Sequence, residues 1–144
     1  MPRWFLILFF ACFGVTIEVI FVATANVLDN TPILGKSIWT LAGYSYIWMM
    51  PIYALIPLIG GVVIQKISSR PYLLRLLIYT TIILTIEFIA GGILEFFTGN
   101  CPWKYTSGWH LCGWARLDYA PAWMLFAGII EYLYLFMSKF EVKK

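Results

Sequence analysis

Four long apolar stretches dominate the sequence, and each is long enough to cross a membrane as a helix, which takes about 20 residues. They cover residues 4–27, 41–64, 72–97 and 119–137. Hydrophobic residues make up 62% of the chain and charged residues 12%, whereas soluble domains carry about 25% charged residues. We therefore predict an all-α fold, a membrane-spanning four-helix bundle that forms a single integral membrane domain over residues 1–144.

Basic residues predict the orientation of this bundle. With four spans, seven of them fall on one side of the membrane and three on the other. The seven are Arg3, Lys66, Arg70, Arg75, Lys139, Lys143 and Lys144, and the three are Lys36, Lys104 and Arg116. Because the cytoplasmic side carries the excess of Lys and Arg, we expect both termini to be cytoplasmic in a cell membrane. The long loop between the third and fourth spans is then outside the cytoplasm.

Carboxylates inside the apolar stretches are the best indication of function. They are Glu18, Glu87, Glu95 and Glu131. A charged side chain near the centre of a spanning helix costs about 2.5 to 3.5 kcal/mol, so such residues usually face a bundle interior or a wet cavity. The sequence therefore predicts a polar site within the membrane.

Helical spacing distinguishes two of these carboxylates. Glu87, Gly91 and Glu95 recur every four residues, and Gly14 and Glu18 have the same spacing, so each set lies along one helix face. Glycines on such a face let neighbouring helices approach closely. We expect the two faces to lie opposite each other, with Glu18 and Glu87 sharing a proton or a cation.

A structural role is the alternative for each glutamate. A protonated glutamate can hydrogen-bond a neighbouring helix, which stabilises a membrane bundle by about 0.6 kcal/mol. Basic groups that could pair with the carboxylates are Arg75 and Arg116, and Glu95 is the one most easily explained as a solvated residue at the membrane rim. The predicted ligand-binding set is Glu18, Glu87, Glu131, Arg116 and Asp118.

Two prolines lie within the second apolar stretch. Pro51 and Pro57 each remove a backbone donor and are expected to kink the helix. The carbonyls freed in this way could line a cavity, although an ordinary kink is the simpler explanation.

The long loop contains two cysteines, Cys101 and Cys112, on the side predicted to be non-cytoplasmic. An oxidising compartment would allow a disulfide between them, which would fix the loop as a cap over the helix ends. A metal site that adds His110 is the weaker alternative, because three ligands at this spacing match no zinc pattern. We predict no metal. Cys12 lies in the first span and is expected to be a packing residue.

Aromatic side chains surround these cysteines. They are Trp103, Tyr105, Trp109, Trp114, Tyr119 and Trp123. Such residues are typical of the aromatic belt at a membrane surface. The same rings could instead form the wall of a pocket for an apolar or cationic ligand.

Arg116 and Asp118 precede the fourth stretch. They can pair within a turn, and Asp118 lies where a helix cap is expected ahead of Pro121. The functional alternative makes Arg116 an anion receptor or a counter-ion for the buried glutamates, which requires its side chain to turn inward.

Several motifs of the chain together resemble a known family. They are Gly14-x-x-x-Glu18, Glu87-Phe88-x-x-Gly91, Cys101-Pro102-Trp103-x-Tyr105 and Leu117-x-Tyr119 followed by Pro121-x-Trp123. In these motifs the chain resembles the CmpB-like ABC-transporter permeases of type IV, small polytopic membrane proteins. Lys104 and His110 depart from the residues common in that family. The resemblance implies a role in transport.

These observations favour a small transporter or permease component that handles a small solute, an ion or a lipid headgroup. The chain has no G-x-x-x-x-G-K-[ST] motif, so we expect it not to hydrolyse ATP itself, and no catalytic motif or cofactor signature is evident. An intramembrane enzyme acting on a lipid and a structural subunit of a membrane complex are the alternatives. The lipid bilayer is the expected partner, together with further copies of the chain or other subunits. Because the basic residues are scattered, we predict no nucleic-acid binding.

Overall fold

The computed structural model describes residues 2–30, 37 and 40–140. Within this part of the chain, four helices are long and apolar enough to cross a membrane. They are Arg3–Leu28, Met49–Ile67, Tyr72–Thr98 and Leu117–Ser138. The predicted helical, multi-pass membrane character is thereby confirmed. Three of the basic residues used for the orientation, Lys36, Lys143 and Lys144, lie outside the described residues.

The chain divides into two compact units, and the boundary falls between Gly60 and Gly61. The first unit begins with helix α1 (Arg3–Leu28), which starts directly after the extended Pro2. Its Leu6 and Phe10 side chains are almost completely buried. Because these residues are four apart, they lie on one face of α1 and form the core of this unit.

The second span begins later than the sequence predicts. Residues 41–46, which we call the return segment, are not helical, and helix α2 (Met49–Ala54) starts only after them. Gly43 explains the difference, because a Cβ atom at this position would lie 2.0 Å from the backbone oxygen of Val19. The return segment therefore lies directly against the backbone of α1.

The two prolines of the second span have different effects. Pro51 lies in the first turn of α2, where a helix leaves its N–H groups unbonded in any case, so the kink predicted there is wrong. Pro57 lies in a π-helical turn (Ile56–Gly60) that interrupts the span before α3 (Gly61–Ile67). At Pro57 the position of the predicted kink thus coincides with this π-helical turn.

The second unit contains α3, α4 (Tyr72–Thr98) and α5 (Ala120–Ser138). Helix α4 ends at Gly99, which adopts a left-handed conformation with φ 78°. Glycine is the usual residue at this position, because it has no Cβ to clash. In α5, Phe126, Ile130 and Tyr134 are buried at a spacing of four residues, which gives the helix one packed face.

A loop of residues 99–116, which we call the hairpin loop, joins α4 to the short 3₁₀ turn Leu117–Tyr119 before α5. It contains a two-stranded antiparallel sheet, β1 (His110–Leu111) and β2 (Ala115–Arg116), so the fold is not purely α-helical as predicted. The backbone N–H of Tyr105 also donates to the carbonyl of Gly113 at 2.9 Å. These bonds satisfy much of the loop backbone internally.

Candidate functional site

In the first unit Glu18 accepts hydrogen bonds from two hydroxyl groups. Ser45 of the return segment donates to Glu18 Oε2 at 2.7 Å, and Tyr53 of α2 donates to the same oxygen at 3.3 Å. Glu18 itself is half-buried in α1. The carboxyl group is thus held by neutral donors from the two elements that follow α1.

Gly14 makes this arrangement possible. A Cβ at Gly14 would lie 2.2 Å from Cγ of Tyr53, so the tyrosine ring lies directly on the glycine. Since Glu18 lies one turn further along the same face, the Tyr53 hydroxyl reaches the carboxyl group across that turn. The predicted glycine and glutamate face of α1 therefore packs against the aromatic ring of Tyr53.

In the second unit Glu87 is buried, with 7% of its surface exposed. The hydroxyl of Tyr105 donates to Glu87 Oε1 at 2.7 Å. Glu87 precedes Thr98 at the end of α4 by about three turns, or about 16 Å. The hairpin loop therefore folds back along α4 at least as far as the Glu87 carboxylate.

Two glycines of α4 accommodate this loop. A Cβ at Gly91 would lie 2.9 Å from Cβ of Trp114 and 3.3 Å from Sγ of Cys101, and one at Gly92 would lie 3.0 Å from the Trp114 ring. The indole N–H of Trp103, which is 6% exposed, donates to the carbonyl of Trp114 at 2.9 Å. Trp103 is thus buried within the second unit and Trp114 is half-buried, while the membrane-belt interpretation stays a prediction. Trp109, which is 80% exposed, remains compatible with it.

Glu95 lies nearest the end of α4 and is ion-paired. Its Oε2 receives a hydrogen bond from Lys104 Nζ and another from the indole N–H of Trp114 at 2.5 Å. The Lys104 side chain is 42% exposed, so this pair lies at the surface of the unit. Its location at the membrane rim stays a prediction.

Glu131 is also ion-paired, but in a buried position. Its Oε1 lies 3.0 Å from Nε of Arg75 and accepts a hydrogen bond from the Tyr79 hydroxyl at 2.9 Å. Only 5% of its side-chain surface is exposed. Arg75, one of the two predicted basic partners, is thus the counter-ion of Glu131.

Arg116, the other predicted partner, turns toward Asp118. Its Nε and Nη2 both donate to Asp118, each at 2.9 Å, and Nη1 donates to the hydroxyl of Tyr119 at 3.0 Å. This pairing raises the pKa of the Arg116 guanidinium above its ordinary value. Helix α5 has Tyr119 as its N-cap residue and no side-chain cap, so Asp118 acts as an ion-pair partner and not as a cap.

Each glutamate therefore has partners within its own unit. The hydrogen bonds that the structure gives Glu18 and Glu87 come from Ser45, Tyr53 and Tyr105. A proton or cation shared by Glu18 and Glu87 stays a prediction. Ser45 and Tyr53 were not among the predicted site residues, and Tyr105 was predicted only as an aromatic belt or pocket residue and not as a donor to Glu87. Gly43 brings the return segment against α1. A small residue at this position is the sequence feature from which the approach of the nearby Ser45 to α1 could have been predicted. Binding of a ligand at these carboxylates stays a prediction.

The predicted disulfide is not formed in this structure, where Cys101 and Cys112 are free thiols. Cys101 is buried, and burial raises the pKa of its thiol above the ordinary value. Cys112 is exposed. No group of three His, Cys, Asp or Glu side chains lies close enough to hold a metal ion in the part of the chain that the structure describes.

Comparison with known proteins gives no assignment. No model of a known protein family matches the chain, and no solved structure matches it. The resemblance to the CmpB-like permeases accordingly stays a prediction.

Proposed function

We propose that the chain is a small transporter or permease component in which Glu18 and Glu87 bind a proton or a small cation as a solute, ion or lipid headgroup passes. One observation supports this: hydroxyl groups donate to both carboxylates, Ser45 to Glu18 and Tyr105 to Glu87. A carboxylate in apolar surroundings needs a positive charge to stay ionised. The hydroxyl donors carry no such charge, so an exchangeable proton or cation can supply it.

Substitution of these glutamates tests the proposal. In liposomes that contain the purified protein and an internal pH-sensitive dye, a potassium diffusion potential should drive proton entry. We expect Glu18→Gln and Glu87→Gln to lower the initial rate about tenfold or more, because the amide cannot take up and release a proton. Parallel uptake of radioactive sodium tests the cation.

Glu95→Gln is the matched control, because Glu95 lies on the same helix as Glu87 but is ion-paired near the surface. It should leave the rate within about twofold of the wild type, since its proton is not exchanged in the site. Equal rates in all three variants, at equal amounts of folded protein, would contradict the proposal and favour a structural subunit.

We also propose that the chain lies in the cell membrane with both termini in the cytoplasm and the hairpin loop outside. In a Cys12→Ser background, a membrane-impermeant maleimide added to intact cells should label Cys112, because its thiol is exposed. Cys101 should stay unlabelled near neutral pH, because its raised pKa lowers the fraction of thiolate and its burial hinders the reagent. Its labelling should increase only as the pH rises. Cys112→Ser is the control that removes the signal. Labelling that requires permeabilised cells would reverse the orientation.

A further inference from the structure

Two short sequence patterns occur twice along the chain, in the same order. Thr-Ile-Glu-x-Ile occupies residues 16–20 and again residues 85–89. Tyr-x-x-x-Trp-Met occupies residues 44–49 and again residues 119–124. Each compact unit contains one copy of both patterns, since the boundary falls after Gly60.

The first pattern has the same local structure in both units. The hydroxyls of Thr16 and Thr85 each donate to the carbonyl four residues earlier, at 2.8 and 2.7 Å. Glu18 precedes the end of α1 by about three turns, as Glu87 precedes the end of α4. The two carboxylates therefore occupy corresponding positions on corresponding helices.

The second pattern also has one role in both units. Trp48 immediately precedes α2, and Trp123 lies in the first turn of α5, so each tryptophan marks the start of the next helix. Before that start the chain returns along the helix that carries the glutamate, and a hydroxyl group of the returning segment donates a hydrogen bond to the carboxylate. Ser45 does this for Glu18, and Tyr105 for Glu87.

We propose that each unit contains one copy of a helix, return and helix motif, formed by α1 and α2 in the first unit and by α4 and α5 in the second, and that each copy holds one equivalent proton site, at Glu18 and at Glu87. The inference deepens the proposed function by giving the chain two exchangeable protons. Tyr53 is a titratable group that contacts Glu18, and Tyr105 and the Cys101 thiol lie near Glu87. Glu95 and Glu131 are paired with Lys104 and Arg75, and they have no counterpart in the repeated patterns.

Infrared spectroscopy of the full-length protein in lipid tests this count. At neutral pH an ordinary carboxyl group is ionised, so the carboxylic acid C=O band reports only the groups that stay protonated in apolar surroundings. Glu18→Gln and Glu87→Gln should each remove about half of the band area, and the double variant should remove all of it. Glu95→Gln should leave the band unchanged.

A second pair of variants keeps the test independent of any loss of folding in the glutamine variants. Ser45→Ala and Tyr105→Phe keep both carboxyl groups but remove a hydroxyl donor, so each should move about half of the band to higher wavenumber. A band that one glutamine variant removes completely, or that neither variant changes, would overturn the two-site inference. The infrared band is read without any transport, so the two proposals can fail separately. Two protonated carboxyl groups without proton flux into liposomes would reject the proposed function and keep this inference. Proton flux with only one protonated carboxyl group would keep the proposed function and reject this inference.

Discussion

Replacing Gly43 by alanine is expected to destabilise the first unit strongly. The new methyl carbon would lie 2.0 Å from the backbone oxygen of Val19 and 3.1 Å from the backbone nitrogen of Ala23. No side chain can rotate away to relieve these contacts, so the return segment must leave α1 and withdraw the Ser45 hydroxyl from Glu18. We expect a loss of about 3 kcal/mol in the free energy of unfolding, at the upper end of what overpacking costs.

Gly60→Ala is the matched control for this substitution. A Cβ at Gly60 would meet only the Ile56 side chain, at 3.7 Å, which is an ordinary van der Waals contact. Alanine also favours helix over glycine by about 1 kcal/mol, so stability should be unchanged or slightly higher. Unfolding in mixed micelles with increasing SDS, followed by circular dichroism, measures both variants. Equal midpoints for the two alanine variants would show that the return segment does not lie against α1.

Removing one partner of the buried ion pair in the second unit is the other change with a large expected effect. Arg75→Leu leaves the Glu131 carboxylate buried with the Tyr79 hydroxyl as a neutral donor. Breaking a buried pair in this way costs about 3 kcal/mol, and more when both partners are completely buried. Because 20% of the Arg75 side chain is exposed, we expect the lower figure.

The double variant Arg75→Leu with Glu131→Leu separates the ion pair from the packing around it. With both charges gone no carboxylate is left uncompensated, so much of the stability should return. The recovery will be incomplete, since Arg75 Nη1 also donates to the carbonyls of Ser68 and Arg70 at 3.1 and 3.2 Å. Additive losses in the two single variants and the double variant, measured by the same SDS titration, would mean that the two charges do not interact.

The spans could be predicted from the sequence because length and apolar composition alone determine which segments can cross a membrane. The residue at which the helix of the second span begins could not be predicted in this way. Residues 41–46 are apolar enough to continue a helix, and the contact of Gly43 with Val19 depends on a turn of the chain that no periodicity reveals. Hydropathy reports the preference of a segment for lipid, and it does not distinguish a helix from an extended segment that packs on one.

The carboxylates were predictable as a group, but their partners were not. Glu18 and Glu87 stand out by their spacing to glycine, and Arg75 was one of two expected counter-ions for the set. Tyr105 is 18 residues from Glu87 and Arg75 is 56 residues from Glu131, so only the folded chain assigns each partner. The pairing of Arg116 with Asp118 was predictable, because the two residues are only two positions apart and can pair within a turn whatever the helices do.

The hairpin loop implies an order of events during biosynthesis. Its non-helical backbone could not enter lipid alone, because carbonyl and amide groups without partners are excluded from the hydrocarbon core. We therefore expect helix α4 to be inserted first and the loop to pack along it afterwards, with Gly91 and Gly92 leaving room for the indole of Trp114. Each half of the chain would mature in this way after leaving the insertion machinery. A larger residue at either glycine would arrest the protein as an inserted but unfinished intermediate.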